Sequence, residues 1–134
     1  VTVRRYRPTI VVNLLDGKAT LSGLFADGSL PALHHMQVDP GSVTPIRTGL
    51  GMKVPPGWTG LVMPETRLAV DHMVTMINAP EIVDSTHWGE IVVRLTNHGR
   101  RPFGVWPGLT VARFIVVPEA EPLYELYGAE KEPS

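Results

Sequence analysis

Few side chains in this sequence are of types that make or break bonds in water. Asp84 stands in Asn78-Ala79-Pro80-Glu81-Ile82-Val83-Asp84-Ser85. A carboxylate there can orient, and partly deprotonate, a water held against an electrophile; an isolated Asp-Ser pair serves equally well as a turn. Arg67 follows Pro64-Glu65-Thr66, and Arg113 closes Gly108-Leu109-Thr110-Val111-Ala112-Arg113. Guanidinium groups bind phosphate oxygens through paired N–H donors; the alternative for Glu65 and Arg67 is a surface region without a ligand. His87 alone reads as a surface turn histidine. His34-His35 invites a metal assignment, but adjacent residues of a strand point to opposite faces, so no metal ligands are assigned. The chain has no cysteine, which removes disulfides, thiolate nucleophiles and thiolate metal sites. P-loop, nucleophile-elbow and HExxH patterns are also missing.

The elements that must position these residues are short. Gly 13 and Pro 13 are spread along 134 residues, punctuating segments rich in Val, Ile, Thr and Leu. Strands are predicted over 9–15, 19–25, 36–38, 43–52, 59–63, 74–77, 90–96, 103–105 and 109–116. Residues 66–72 form the one weak helical candidate. Frequent turns without a long helical period predict an all-β barrel, sandwich or jelly roll. Residues 1–118 read as one β domain. Residues 119–134 are acidic and polar, and read either as a loose end or as an arm anchored on a partner subunit by Leu123, Tyr124, Leu126 and Tyr127.

Hydrophobic residues make up 43% and charged residues 19%, enough to bury a core. A formal net charge of -1 argues against direct binding to nucleic acid or to membranes. Val1-Thr2-Val3-Arg4-Arg5 lacks the apolar core of a secretory signal. No apolar run approaches the roughly 20 residues of a membrane span. A cytoplasmic location is expected.

Asp39-Pro40-Gly41, Thr48-Gly49-Leu50, Val54-Pro55-Pro56-Gly57-Trp58-Thr59-Gly60, Pro64-Glu65-Thr66-Arg67-Leu68-Ala69, Asn78 through Ser85 and Gly89-Glu90-Ile91 follow one another in order. Asn97, Phe103, Pro107-Gly108, Ala112 and Val117-Pro118 continue the series. No one segment is specific; their order and spacing resemble the trimeric dUTPase family. The resemblance implies a dUTPase-like β-barrel or jelly-roll (β-clip) subunit in a homotrimer. It also implies a hydrolase that uses Mg²⁺ to convert dUTP, or a related pyrimidine nucleotide, to the monophosphate and pyrophosphate.

Residue by residue, the resemblance makes Asp84 the carboxylate that positions the attacking water, in a hairpin that receives the nucleoside. Asn78 lies at the base edge and Glu81 replaces a glycine beside it, excluding uracil or accepting from an amino group such as cytosine's. His87 stands where a tyrosine packs under the sugar, with Trp88 next to it as a substitute. Thr66 and Arg113 fall at phosphate-contacting positions, Glu65 replaces an arginine there, and Arg67, the residue after Thr66, supplies a phosphate-binding cation with a shift of local register. The aspartate that holds the Mg²⁺ water shell maps to Ser29, or to Asp27 with a small gap. After Pro118 there is one glycine and no arginine, so the family's closing lid is expected to be absent. The related deaminases use a glutamate in the next strand, and Val92-Val93-Arg94-Leu95 has none. The alternative function is a catalytically degenerate dUTPase-fold protein with a nucleotide-binding, regulatory or viral structural role.

Overall fold

The β-branched segments become strands wherever a partner strand covers their apolar face. The computed structural model describes residues 7–128. In chain order the elements are β1 (Val11–Leu14), α1 (Ser22–Asp27), β2 (Ser29–Pro31), β3 (Met36–Val38), β4 (Val43–Lys53) and β5 (Trp58–Pro64). They continue with α2 (Thr66–His72), β6 (Val74–Met76), β7 (Glu81–Val83), β8 (Glu90–Asn97), β9 (Phe103–Val105) and β10 (Thr110–Pro118). One sheet has the order β1-β4-β8-β6, a second β2-β10-β5-β7, and β3 pairs with β9. All these pairings are antiparallel, and the all-β class is as expected.

Both four-stranded sheets contribute to one core: Ile46, Leu50, Val93 and Leu95 from the first, Leu30, Val62 and Val111 from the second. Each of these seven is fully buried, at 0% exposure. Burying a side chain of that size stabilises the fold by about 1.5–3 kcal/mol. Asn97 is buried among them without cost, because Nδ2 donates to the carbonyls of Val38 and Arg101 and Oδ1 accepts from the Gly99 N–H.

The structure corrects one predicted strand. Residues 19–25 do not extend; residues 22–27 form α1 instead. Gly28 ends this helix in the left-handed region (φ 79°), its N–H bonding back to Gly23 and Leu24. A Cβ on Gly28 would stand 2.3 Å from the Phe114 carbonyl oxygen, so the helix stop also lets β10 pass close by. The strands β2 and β7 escaped the sequence reading because Ser29-Leu30-Pro31 and Glu81-Ile82-Val83 each contain a residue depleted in strands, Pro31 and Glu81. Pro31 is tolerated because β2 is an edge strand.

In β4, Thr48, Gly49 and Leu50 bulge out of register with β8. Gly49 takes a positive φ of 72° there, and Thr48 Oγ1 donates to the Ile91 carbonyl at 2.7 Å. Glu90 fastens the bulge, pairing with Arg47 at 2.9 Å and accepting from the Gly49 N–H. Beyond β10, residues 119–128 have no regular structure. Leu123, Tyr124, Leu126 and Tyr127 are 70–101% exposed, so within the chain they anchor nothing. Residues 129–134 of the expected tail lie outside the described residues.

Candidate functional site

Pairing of β10 with β2 sets Arg113 opposite Ser29, and pairing with β5 sets it opposite Met63. This brings the end of α1, the start of α2 and the β9–β10 turn around a cavity of about 420 Å³. Asp27, Ser29, Glu65, Arg67, Trp106 and Arg113 line it. Both residues proposed for the first motif are therefore present and bonded to each other: the Ser29 hydroxyl and N–H donate to Asp27. That hydroxyl, then the N–H, and less strongly Arg113, hold the Asp27 carboxyl below the usual carboxylate range. Thr66 is exposed at the start of α2 and does not line the cavity.

Glu65 is the residue whose role the sequence did not disclose. Its substitution for an arginine reads as a charge facing phosphate. Instead its side chain is only 7% exposed, and it accepts from Arg113 Nε at 3.0 Å. Its other oxygen caps α2, accepting from the Arg67 N–H at 3.4 Å. Arg113 also lies 3.6 Å from Asp27. Arg113 thus stands between two carboxylates, and the four charged groups of the cavity, Asp27, Glu65, Arg67 and Arg113, sum to zero formal charge.

The second cluster surrounds Asp84. The connection from β7 to β8 is not the hairpin the resemblance implies, because β7 pairs with β5 and β8 with β4 and β6. Residues 84–89 cross from one sheet to the other. Asp84 shapes this crossover: Oδ1 accepts from the Thr86 N–H at 2.9 Å, the Thr86 hydroxyl at 2.6 Å and the His87 N–H at 3.2 Å. Those donors, the Thr86 hydroxyl first, hold the Asp84 carboxyl below the usual range. The turn reading of Asp84 and the site reading are therefore compatible. Oδ1 is committed to the turn, and the hydrogen bonds described leave Oδ2 for a water. Thr86 was missed, although Asp-Ser-Thr is a sequence signal for such a side-chain-to-backbone turn.

His87 Nε2 donates to the Gly89 carbonyl at 3.2 Å; a carbonyl only accepts, so this fixes the tautomer. Trp88 is 53% exposed, with Lys53 Nζ 4.7 Å from its ring centre. Asn78 is exposed in the turn before β7. Among the described residues, no group of three or more His, Cys, Asp or Glu could hold a metal ion.

Within one chain the two clusters do not meet. Arg113 is paired with Met63, whereas Val83, the last residue before Asp84, is paired with Gly60 on the far side of β5. Two strand spacings and three residues of β5 separate them, roughly 10 Å across the sheet and 10 Å along it.

Comparison with known proteins gives one family. The family model described as dUTPase matches residues 29–132. A deoxyuridine 5'-triphosphate nucleotidohydrolase of Gloeothece citriformis is 34% identical over 89 residues, 66% of this chain and 61% of that protein. One from Anaeromyxobacter sp. is 42% identical over 79 residues, 59% of this chain and 54% of that protein. The matched region thus spans little more than half the length of these relatives. Among solved structures, a mutant dUTPase from phage phi11 of S. aureus, described as coordinating a structural Mg(II) ion, superposes with a TM-score of 0.78 at 14% identity. It covers 90% of this chain and 97% of its own. A mutant Staphylococcus bacteriophage 80alpha dUTPase with dUpNHpp gives 0.78 at 14% identity, covering 94% and 92%.

Proposed function

Because the chain belongs to the dUTPase family, we propose that it is a nucleoside triphosphate diphosphatase acting on dUTP or a related pyrimidine deoxynucleotide. Water attacks the α phosphorus, and the bond to the α–β bridging oxygen breaks. The products are the nucleoside monophosphate and pyrophosphate. The observation that carries this reading is the Asp84 carboxylate, kept ionised by Thr86 and His87 at the start of an exposed crossover. A carboxylate so stabilised is a weak base, so Asp84 acts mainly by orienting the water through Oδ2 and less by taking its proton. Asn78 would face the base, His87 the sugar, and Arg67 and Arg113, which line the cavity, the phosphates.

The separation of Asp84 from the cavity favours a site completed by a second copy, with one subunit's crossover set against another's cavity. A homotrimer has this form, and the exposed Phe25, Val70 and Ile82 offer apolar surface for it. Magnesium fits as an ion carried in by the triphosphate, since hard oxygen donors are present but, among the described residues, no group of three or more that could cage it. Asp27 and Ser29 would hold its water shell, and the ion would supply charge neutralisation at the phosphates. No helix of the described residues is long and apolar enough to cross a membrane.

A second reading, a nucleotide-binding protein without catalysis, is favoured by the Glu65–Arg113 pair, which occupies a cation that phosphates would otherwise take. Pyrophosphate release decides between them. Turnover of a pyrimidine deoxynucleotide triphosphate with Mg²⁺, abolished in Asp84→Asn, supports the enzyme. Tight binding without any turnover supports the second reading.

A further inference from the structure

We infer that Lys53 is a positioning residue for Asp84: its ammonium group pins the indole of Trp88 and so steadies the crossover that presents the water-orienting carboxylate. The inference rests on the hydrolase reading above and adds to it a residue of β4 that acts through the loop and not on the substrate.

Residues 84–89 lie between β7 and β8 and belong to no strand. The hydrogen bonds that shape this crossover are local. Asp84 Oδ1 accepts from Thr86 and His87, the Asp84 carbonyl accepts from the His87 N–H, and His87 Nε2 donates to the Gly89 carbonyl. All of them run within the loop. They give it a form, but they do not fasten it to either sheet.

Strand β4 supplies contacts from outside. Gly51, Met52 and Lys53 pair in unbroken register with β1, so their side chains alternate between faces. Met52 points into the core, at 1% exposure, and Gly51 and Lys53 therefore face the other way. The end of the crossover lies on Gly51: a Cβ there would stand 3.1 Å from the Gly89 carbonyl oxygen and 3.5 Å from that of Trp88. The bare backbone lets the loop settle on the strand. Lys53, next along the same face, reaches over the settled loop and sets Nζ 4.7 Å from the centre of the Trp88 ring.

Lys53 forms no ion pair among the described residues, so its charge is available to the indole. An ammonium group over an indole face is attracted by the ring quadrupole. This contact ties the loop to β4 at the end opposite Asp84. Without it the loop can rock about Asp84, and the directions open to Oδ2 spread. A misdirected orienting group costs turnover before it costs binding.

The experiment compares wild type with Lys53→Gln, Lys53→Arg, Trp88→Leu and the Lys53→Gln/Trp88→Leu double variant. Amide hydrogen exchange at Thr86 and His87 reads the loop. Pyrophosphate release with Mg²⁺ reads turnover, on whichever of dUTP, dCTP and dTTP wild type turns over fastest. Melting curves check that each variant is folded. In Lys53→Gln, exchange should rise and kcat should fall, each about two- to fivefold, the scale of an exposed cation–π contact, with KM unchanged. Lys53→Arg should restore both. Trp88→Leu should match Lys53→Gln, and the double variant should be no worse than either. A raised KM at constant kcat in Lys53→Gln would overturn the inference by making Lys53 a nucleotide contact. Additive losses in the double variant would overturn it by showing that Lys53 does not act through Trp88. Unchanged exchange and kcat would overturn it as well, and all three results leave the hydrolase reading intact. Wild type without turnover of any of the three nucleotides would overturn the hydrolase reading, and this inference with it.

Discussion

Asp84 shows how one side chain can serve its own loop and a reaction. Three donors on Oδ1 hold the crossover in shape and keep the group charged, leaving Oδ2 for a water. Asp84→Asn preserves the shape and removes the charge. We expect kcat to fall by roughly 10² to 10⁴, the usual worth of a positioned acid or base, with KM changed little; steady-state kinetics on the preferred nucleotide checks this. Thr86→Ala tests the tuning. The Thr86 hydroxyl is the first cause of the lowered Asp84 pKa, so its removal returns that pKa toward about 3.9. Activity requiring the ionised form is present above the pKa and lost as pH falls through it. The acid limb of the kcat profile should therefore move to higher pH in Thr86→Ala. An unmoved limb would mean that another group governs it. The same sign applies to stability: what the Asp84 donors contribute is present above the unfolded pKa of about 3.9 and lost as pH falls through the lower folded value.

At the scale of elements, the decisive contact joins β10 to the start of α2. Glu65 caps the helix and holds Arg113, so the strand's cation is engaged before any phosphate arrives. Glu65→Gln keeps the cap acceptor and releases the guanidinium. It should tighten triphosphate binding several-fold in calorimetry, whereas Arg113→Ala should weaken it. Arg113→Ala should also lower stability by about 2 kcal/mol in urea unfolding. It strands a nearly buried carboxylate, and the cost stays below that of a fully buried pair because solvent reaches Arg113. If Glu65→Gln weakens nucleotide binding, the pair is part of the binding arrangement and not a competitor for it. Helix α1 carries a related lesson. Leu21 and Leu24, three apart, pack one side of α1 against the core, and this spacing prevailed over the β-propensity of its neighbours.

For the whole molecule, placement of Asp84 and Arg113 on opposite sides of β5 has a direct consequence. If each site combines the crossover of one copy with the cavity of another, two differently impaired variants can restore activity together. Asp84→Asn, impaired in turnover, and Arg113→Ala, impaired in binding and assayed at subsaturating nucleotide, should show more turnover after being mixed, unfolded and refolded as one population than either shows alone. Sedimentation should give three times the mass of one chain. A monomeric mass, or no recovery in assemblies shown to be mixed, would sink the shared site.

The sequence by itself determined the class of this protein and most of its elements. Alternating β-branched segments between Gly and Pro turns commit a chain to short strands, because only a pleated, half-buried surface accommodates them. The ordered segments from Asp39 to Pro118 pointed to the dUTPase family, and α2 was legible over 66–72. What sequence could not supply was proximity. That Glu65 meets Arg113, 48 residues away, depends on the register of β10 against β2 and β5. That Glu81 Oε2 is buried without a hydrogen-bond partner depends on the pairing of β7 with β5, which no pattern within Glu81-Ile82-Val83 discloses. The split of β7 and β8 between two sheets was hidden for the same reason. A local pattern specifies which residues can pair, but only the assembled sheets decide which charges are neutralised, and that neutralisation determines what the cavity can bind.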